Sequence, residues 1–444
     1  MSEGKVQGTT LHRNSTGTLQ VNVHHVTRVE GHGDIVVDVK NGEIKECRFE
    51  VVEAPRFFEA FVRGRSYEEL NHITSRICGI CSVGHSTASL EATETALGVQ
   101  LTEQATLLRK LLFHGEILDS HVLHTYYLVA PDFLGVPSVI PLVATHRPVV
   151  ERALRMKKLA GDLCAMVAGR HTHPIALTVG GFTHTPSERQ LREMRGRLIE
   201  ARADVDETIA LFATLPWPQF ERETEYVSLH KEDEYAFIGG DVVTSDGFSY
   251  AIADYKKVTN EWCVPFSTAK WTKHNRDAYM VGALARFNNN YDQLQPKAKE
   301  AAAKLGLKPV CTNPFLNTAA QAVEIVHCLE DSIRIIDDLL TRGIRPEEPA
   351  PVERKSGEGA GACDVPRGTL FHHYAYDENG KCAAANCIIP TNQNWANVNA
   401  DMRAFLPTIL DKPEEEIRLL LEMLVRAYDP CISCSTHFLR VKFL

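Results

Sequence analysis

Arg76-Ile77-Cys78-Gly79-Ile80-Cys81, with His85 beyond it, and Asp429-Pro430-Cys431-Ile432-Ser433-Cys434, with His437 beyond it, stand near opposite ends of a 444-residue chain. Each stretch holds two thiols one short loop apart, so the pair of stretches can present four soft thiolates to one metal centre. That requires the two ends of the chain to meet, which predicts one compact body over residues 1–444. A thioredoxin-like dithiol needs a small βαβ setting, which is missing here. Structural zinc sites gather nearby ligands to stabilise domains without a core. This chain is 44% hydrophobic and needs no such staple.

The formal charge of −9 and the lack of a basic arm argue against a nucleic-acid or membrane-surface binder. Met1 to Thr18 is polar and lacks the apolar run of a signal peptide. No window is long and apolar enough for a membrane span. Twelve cysteines without export signals predict a reducing, cytoplasmic setting in which thiols serve metals or chemistry. Cys47, Cys164, Cys263, Cys311, Cys328, Cys363, Cys382 and Cys387 are expected to be mostly buried free thiols.

The fold class expected is α+β and predominantly α-helical: a long-helix bundle with an N-terminal antiparallel sheet and peripheral β and loop regions. Strands are predicted at 19–26, 34–40 and 43–52, within a sheet region 19–52, and Asn41-Gly42 supplies a hairpin turn. A helical core follows over about 67–342, with helices at 82–97, 102–128, 148–168, 187–213, 276–305 and 316–342. Pro346 to Gly361 is expected to be a polar, Pro/Gly/Glu-rich loop, with mixed strand and loop following to about 395, within a C-terminal site region of about 360–444. A last helix is capped at Asp411 and striped by Ile417, Leu420, Leu421, Leu424 and Val425; it must end before Pro430. Gly357-Glu358-Gly359-Ala360-Gly361 is a poor dinucleotide fingerprint, with no clear strand before it or helix after it.

Around the cysteine pairs, further segments stand in a consistent order: Thr27-Arg28-Val29-Glu30-Gly31-His32, Pro55-Arg56-Phe57-Phe58-Glu59, Asp119-Ser120-His121, Pro366-Arg367-Gly368-Thr369-Leu370 and Ile389-Pro390-Thr391. With both cysteine motifs they resemble the large, catalytic subunit of a nickel–iron hydrogenase, in its cytoplasmic, cofactor-coupled group. The resemblance covers most of the chain. It implies reversible, heterolytic cleavage of H2 at a nickel–iron centre whose iron carries carbon monoxide and cyanide. Nickel would be held by Cys78, Cys81, Cys431 and Cys434, and iron by the shared Cys81 and Cys434. Asp364 departs from the glutamate common in relatives, and Asn392 from a second hydroxyl residue.

The same resemblance assigns roles. Cys431 would accept a proton and Glu30 carry it away, although from the residues alone Glu30 reads as a surface carboxylate beside Arg28. Arg367 would act over the open metal position, with Asp429 as its charged partner. Pro366 and Thr391 would neighbour the cyanides, and His85 would support Cys81, with His121 and His124 as weaker candidates. Glu59, His437 and the backbone carbonyl near Cys387 would bind magnesium. Residues 438–444 are a short tail where the family carries a cleaved extension; retention in the mature protein is the reading preferred. No flavin, nucleotide or iron–sulfur cluster is expected within the chain. An iron–sulfur small subunit is implied, with flavin, NAD or ferredoxin-linked partners beyond it. The rival functions are a hydrogen sensor, a zinc-held scaffold and a complex I-like quinone-site subunit, whose relatives have lost the four cysteines.

Overall fold

Alternating apolar residues build the first layer. In the computed structural model, which describes residues 9–13 and 18–436, four antiparallel strands run in sequence order. These are β1 (Thr9–Arg13), β2 (Leu19–Val23), β3 (Gly33–Lys40) and β4 (Glu43–Val51). Val21, Val23, Ile35, Val37, Phe49 and Val51 are buried on one face, as the two-residue strand period demands. Asn41 and Gly42 take φ of 53° and 77°, the geometry of a two-residue hairpin turn. The sequence predicts three strands here; β1 is a fourth, an edge strand whose Thr9-Thr10-Leu11-His12-Arg13 has no apolar alternation to announce it.

The helical body opens with a short helix, Tyr67–Thr74, capped by Ser66, and continues in α1 (Ser82–Leu97), which is made of small residues, is almost wholly buried and stops at Gly98 with φ 71°. α2 (Glu103–Val122) is capped by Thr102 and continues into a π-helical turn, Leu123–Val129, where a plain α-helix is expected. Such wide turns recur near functional sites. α3 (Arg147–Ala168) follows. The helix expected over 187–213 is two, α4 (Glu188–Glu200) and α5 (Arg202–Phe212), separated at Ala201. The region 276–305 is also less regular than expected. Tyr279–Met280 pairs in parallel with β5 (Glu225–His230), and two short helices follow, α6 (Ala283–Asn290) and α7 (Pro296–Lys304). Pro296 suits a helix's first turn and no interior position, which divides the stretch. α8 (Asn317–Arg342) is the longest helix among the described residues and packs along α2.

The glycine-rich stretch is a strand. β6 (Gly357–Val365), β7 (Gly368–Tyr376) and β8 (Cys382–Ile388) form an antiparallel sheet against α1. A Cβ on Gly357, Gly359 or Gly361 would lie 2.1, 2.4 or 2.4 Å from backbone atoms of Ala96, Ala96 and Ala92. The alternate glycines therefore let strand and helix touch backbone to backbone.

α9 (Pro390–Phe405) is a helix whose first residues are predicted as strand or loop. Its pattern is concealed because it buries amides: Asn394 accepts from the Val281 N–H at 2.9 Å, and Asn399 from the Phe49 N–H at 2.9 Å. Trp395 stacks on Phe49 with centroids 4.9 Å apart, joining α9 to the first sheet. α10 (Glu414–Ala427) opens after Pro413, so Asp411 is not its cap. Three glutamates in its first turn suit the positive end of the helix dipole. All four motif cysteines belong to the main core cluster.

Candidate metal centre

The first cysteine loop is fixed from behind. Cys81 stands at the start of α1 and offers no side-chain cap. Glu116 of α2 replaces it, accepting from the Val83 N–H at 2.6 Å and the Gly84 N–H at 3.0 Å. Burial pushes this carboxyl well above its ordinary range. Ahead of it, the Ile80 and Cys81 N–H groups point at Cys78 Sγ, at 3.3 and 3.1 Å. The neighbouring Cys81 thiol and the Arg367 charge pull the Cys78 thiol down to about 7, while Cys81 is pushed well up by its partner and by burial.

The second loop leaves α10 through Asp429, which has a left-handed φ of 49°, and Pro430. Glu30 fastens it: the Glu30 carbonyl accepts from the Ile432 N–H at 2.9 Å, and its carboxylate from the Ser433 N–H at 3.0 Å. Cys431 Sγ lies 3.2 Å from the same Glu30 Oε2, and its N–H donates to Thr391 Oγ1 at 3.2 Å. Arg28 turns away from Glu30 and donates to Asp132 and to the Leu128 carbonyl. Glu30 is thus not the partner of Arg28.

The loops meet with Cys78 and Cys431 sulfurs 3.6 Å apart; those of Cys78, Cys431 and Cys434 all lie within 4.8 Å of one another. Cys431 and Cys434 are in sulfur–sulfur contact, with Cα atoms 5.5 Å apart. Cys81 stands beside this trio and accepts from Arg367 Nη1 at 3.1 Å. Arg367 occupies the turn between β6 and β7, donating to the Asp429 carbonyl at 2.7 Å, to Asp429 Oδ1 at 2.8 Å and to Ser120 Oγ at 3.4 Å. Pro366 is held in that turn by Arg286 of α6, which reaches its carbonyl at 3.1 Å and pairs with Glu324 at 2.7 Å. A cavity of about 430 Å³ opens onto Glu30, Cys78, Gly79 and Ser433, with His32, Glu53 and Arg76 at its sides.

The other candidates are placed as follows. His85 Nδ1 faces His372 at 3.2 Å. His121 pairs with Glu324 at 2.6 Å and His124 with the Arg426 carbonyl at 2.7 Å, so both brace α2. Glu59 Oε1 accepts from the Cys387 N–H at 2.9 Å. Near it, Glu261 pairs with Lys270 at 2.6 Å and lies beside Asn392, and burial raises its carboxyl. His437 and the tail 438–444 lie outside the described residues.

Sequence reasoning missed Glu116, Glu261 and Arg286, and quoted Ser120 within Asp119-Ser120-His121 without giving it a role. Glu116 did leave a trace: it is a lone charge inside Leu111-Leu112-Phe113-His114-Gly115-Glu116-Ile117-Leu118, where exposed acids are out of place.

Four converging buried thiols, with N–H groups aimed at sulfur and a fixed guanidinium beside them, form a donor set able to hold a metal; the donors are soft and fit nickel and iron. A family model described as nickel-dependent hydrogenase matches residues 56–147 and 244–437, and one described as HoxL-like matches residues 20–54. The alpha subunit of sulfhydrogenase 1 from Pyrococcus furiosus is 36% identical over 95% of this chain and 99% of its own length. The F420-non-reducing hydrogenase of Methanothermobacter marburgensis supplies a second relative, whose matching polypeptide is 30% identical over 94% of this chain and 95% of its own length. Among solved structures, an NAD+-reducing [NiFe]-hydrogenase in the H2-reduced state superposes with TM-score 0.82 at 28% identity, covering 96% of this chain and 100% of the other. The chain belongs to the nickel-dependent hydrogenase family.

Proposed function

We propose that this chain is the catalytic subunit of a nickel–iron hydrogenase, converting H2 reversibly to protons and electrons. The observation that carries the reading is the convergence of Cys78, Cys81, Cys431 and Cys434 between Glu30 and Arg367. Cys78 and Cys431 would be terminal ligands of nickel, with Cys81 and Cys434 shared with an iron that carries carbon monoxide and cyanide. When bound, the metal pair supplies the site at which H2 is polarised and its electrons are taken up.

The chain's own groups do the rest. Cys431 Sγ would hold a proton and Glu30 Oε2 would receive it, a reading supported by their separation of 3.2 Å. Glu30 lines the cavity beside His32 and Glu53, which gives the proton an exit. The Ser433 N–H bonded to the same Oε2 keeps that oxygen aimed at the sulfur. Arg367 is held at three points by Asp429 and Ser120, so its charge stays fixed over the site and needs no reorganisation during turnover. Pro366 and Thr391 would line the cyanides, and His85 would support Cys81.

Glu59, the Cys387 carbonyl and His437 would hold magnesium. Glu261 beside Glu59 already pairs with Lys270 at 2.6 Å, so the magnesium assignment rests on the family resemblance and on the Glu59 carboxylate. Electrons would leave through an iron–sulfur small subunit toward NAD- or ferredoxin-type acceptors, in a cytoplasmic complex. Similarity to an NAD+-reducing enzyme supports that choice, and among the described residues no helix is long and apolar enough to cross a membrane.

The test is the infrared spectrum of protein purified anaerobically from its host, with nickel and iron measured on the same sample. Sharp metal-bound carbon monoxide and cyanide bands are expected. Zinc with a blank spectrum would replace this reading with the scaffold, and bands without dye-linked turnover would replace it with the sensor.

A further inference from the structure

α2 and α8 share a second polar seam, away from the sulfurs. At its inner level His121 meets Glu324 at 2.6 Å, and Arg286 closes that pair. Two turns outward, His114 of α2 meets His327 and Asp331 of α8. A His and an Asp four residues apart on one helix project from the same face, and a histidine opposite completes a three-donor set.

One ligand atom from each of the three lies within 4.8 Å of the others, and all three residues are buried. His114 Nε2 is 3.7 Å from Asp331 Oδ2. The other edge of each group is engaged. Asp331 Oδ1 accepts from Gln295 Nε2 at 2.8 Å and Arg334 Nε at 2.6 Å, which leaves Oδ2 facing the histidines. His114 Nδ1 lies 3.5 Å from Ser332 Oγ, on the ring edge away from the Nε2 that faces Asp331. The three residues line a cavity of about 420 Å³ together with Tyr235, Gln293 and Gln295, so an ion has both access and room for water.

We propose that His114, His327 and Asp331 bind a divalent transition metal of the zinc class, at a site separate from the nickel–iron centre. Two imidazoles and one carboxylate with an open position suit zinc and its neighbours and exclude magnesium as the preferred ion. His327 supplies a signature. Its Nδ1 accepts from the Gln295 N–H at 3.2 Å. Coordination through Nε2 places the proton on Nδ1, so loading releases that N–H. The ion also ties α2 to α8 outside the Arg286–Glu324 pair that steadies the Pro366 turn.

The site stands independently of the hydrogenase reading. The holoenzyme, depleted of loosely held metal, is equilibrated with Zn2+, desalted and analysed for zinc per nickel. Wild type should retain one more zinc than His327→Ala and Asp331→Asn, with nickel unchanged. Zinc-edge absorption should show nitrogen and oxygen neighbours without sulfur, and amide exchange at Gln295 should quicken on loading. Zinc should raise the unfolding temperature of wild type only. Equal zinc in wild type and variants, or sulfur around the retained zinc, overturns the proposal. If His327→Ala loses nickel, His114→Gln decides in the same way.

Discussion

The two cysteine loops reach the same point by different means. Cys78–Cys81 is placed by packing: its helix α1 rests backbone to backbone on the glycines of β6, and Glu116 grips its first turn. Cys431–Cys434 is placed by separate hydrogen bonds, from Glu30, Thr391 and, through Asp429, from Arg367. Packing resists displacement steeply, because interiors are near crystal density. A hydrogen-bonded loop gives way one bond at a time, each worth about 0.5–1.5 kcal/mol net. The first loop therefore rests on backbone contact behind it, whereas the second, also buried and close to Gly31, where a Cβ would lie 2.7 Å from Ile432, is aimed by the bonds from Glu30 and Thr391.

The largest effect should come from breaking the packing. A Cβ at Gly359 would lie 2.4 Å from Ala96 N and 2.5 Å from Ala92 O, both backbone. Gly359→Ala should destabilise by more than about 4 kcal/mol or abolish the folded protein. Gly79, between the first two cysteines, meets nothing within 4 Å, so Gly79→Ala should stay within about 0.5 kcal/mol. Thermal unfolding of the two variants checks the contrast. Similar unfolding temperatures would mean that α1 and β6 can part without consequence.

The hydrogen-bonded side is next. Arg367→Lys keeps the charge but cannot reach Cys81, Ser120 and both Asp429 acceptors at once. Turnover should fall by about a hundredfold to a thousandfold with nickel content intact. Dye-linked activity normalised to nickel gives the answer, and near-normal turnover would remove Arg367 from the chemistry.

Asp364 links the two supports, since it closes the β6–β7 hairpin through Thr369 at 2.7 Å and accepts from the Leu229 N–H at 2.8 Å. Burial raises its carboxyl to about 6, against the Arg286 charge and these two donors. A folded-state value above the unfolded one means the folded chain holds this proton more tightly. The contribution is complete below about 3.9, the unfolded value, and is lost as pH rises through about 6; at about 1.36 kcal/mol per pH unit it is at most about 3 kcal/mol. Asp364→Asn should flatten that part of the stability profile between about pH 4 and 7, read by denaturant unfolding.

Much of this centre was legible because chemistry restricts residue type. The four thiols stand out by spacing and identity, whereas Glu30 and Arg367 were assigned by the family resemblance alone, since from the residues themselves Glu30 reads as a surface carboxylate. The supports were harder to read because their chemistry is generic. Glu116 and Arg286 are ordinary helix residues by composition, and only the fold turns them inward. The glycines of β6 were visible but misleading, since a loop and a backbone-contact strand need the same residue. α9 escaped for the opposite reason: its buried face carries amides, so apolar periodicity is absent where the helix begins.

Thr391 gives the smallest and most discriminating test of the second loop. Its hydroxyl oxygen accepts from the Cys431 N–H at 3.2 Å, which commits a lone pair and leaves the hydrogen to point elsewhere. Thr391→Val preserves shape and strands that N–H in a buried setting, at about 1 kcal/mol. Thr391→Ser restores the oxygen and should recover stability. If the hydroxyl hydrogen serves a cyanide, Val should also shift the cyanide bands while Ser leaves them in place. Equal spectra for Val, Ser and wild type, with stability alone reduced, would assign Thr391 to holding Cys431 and nothing more.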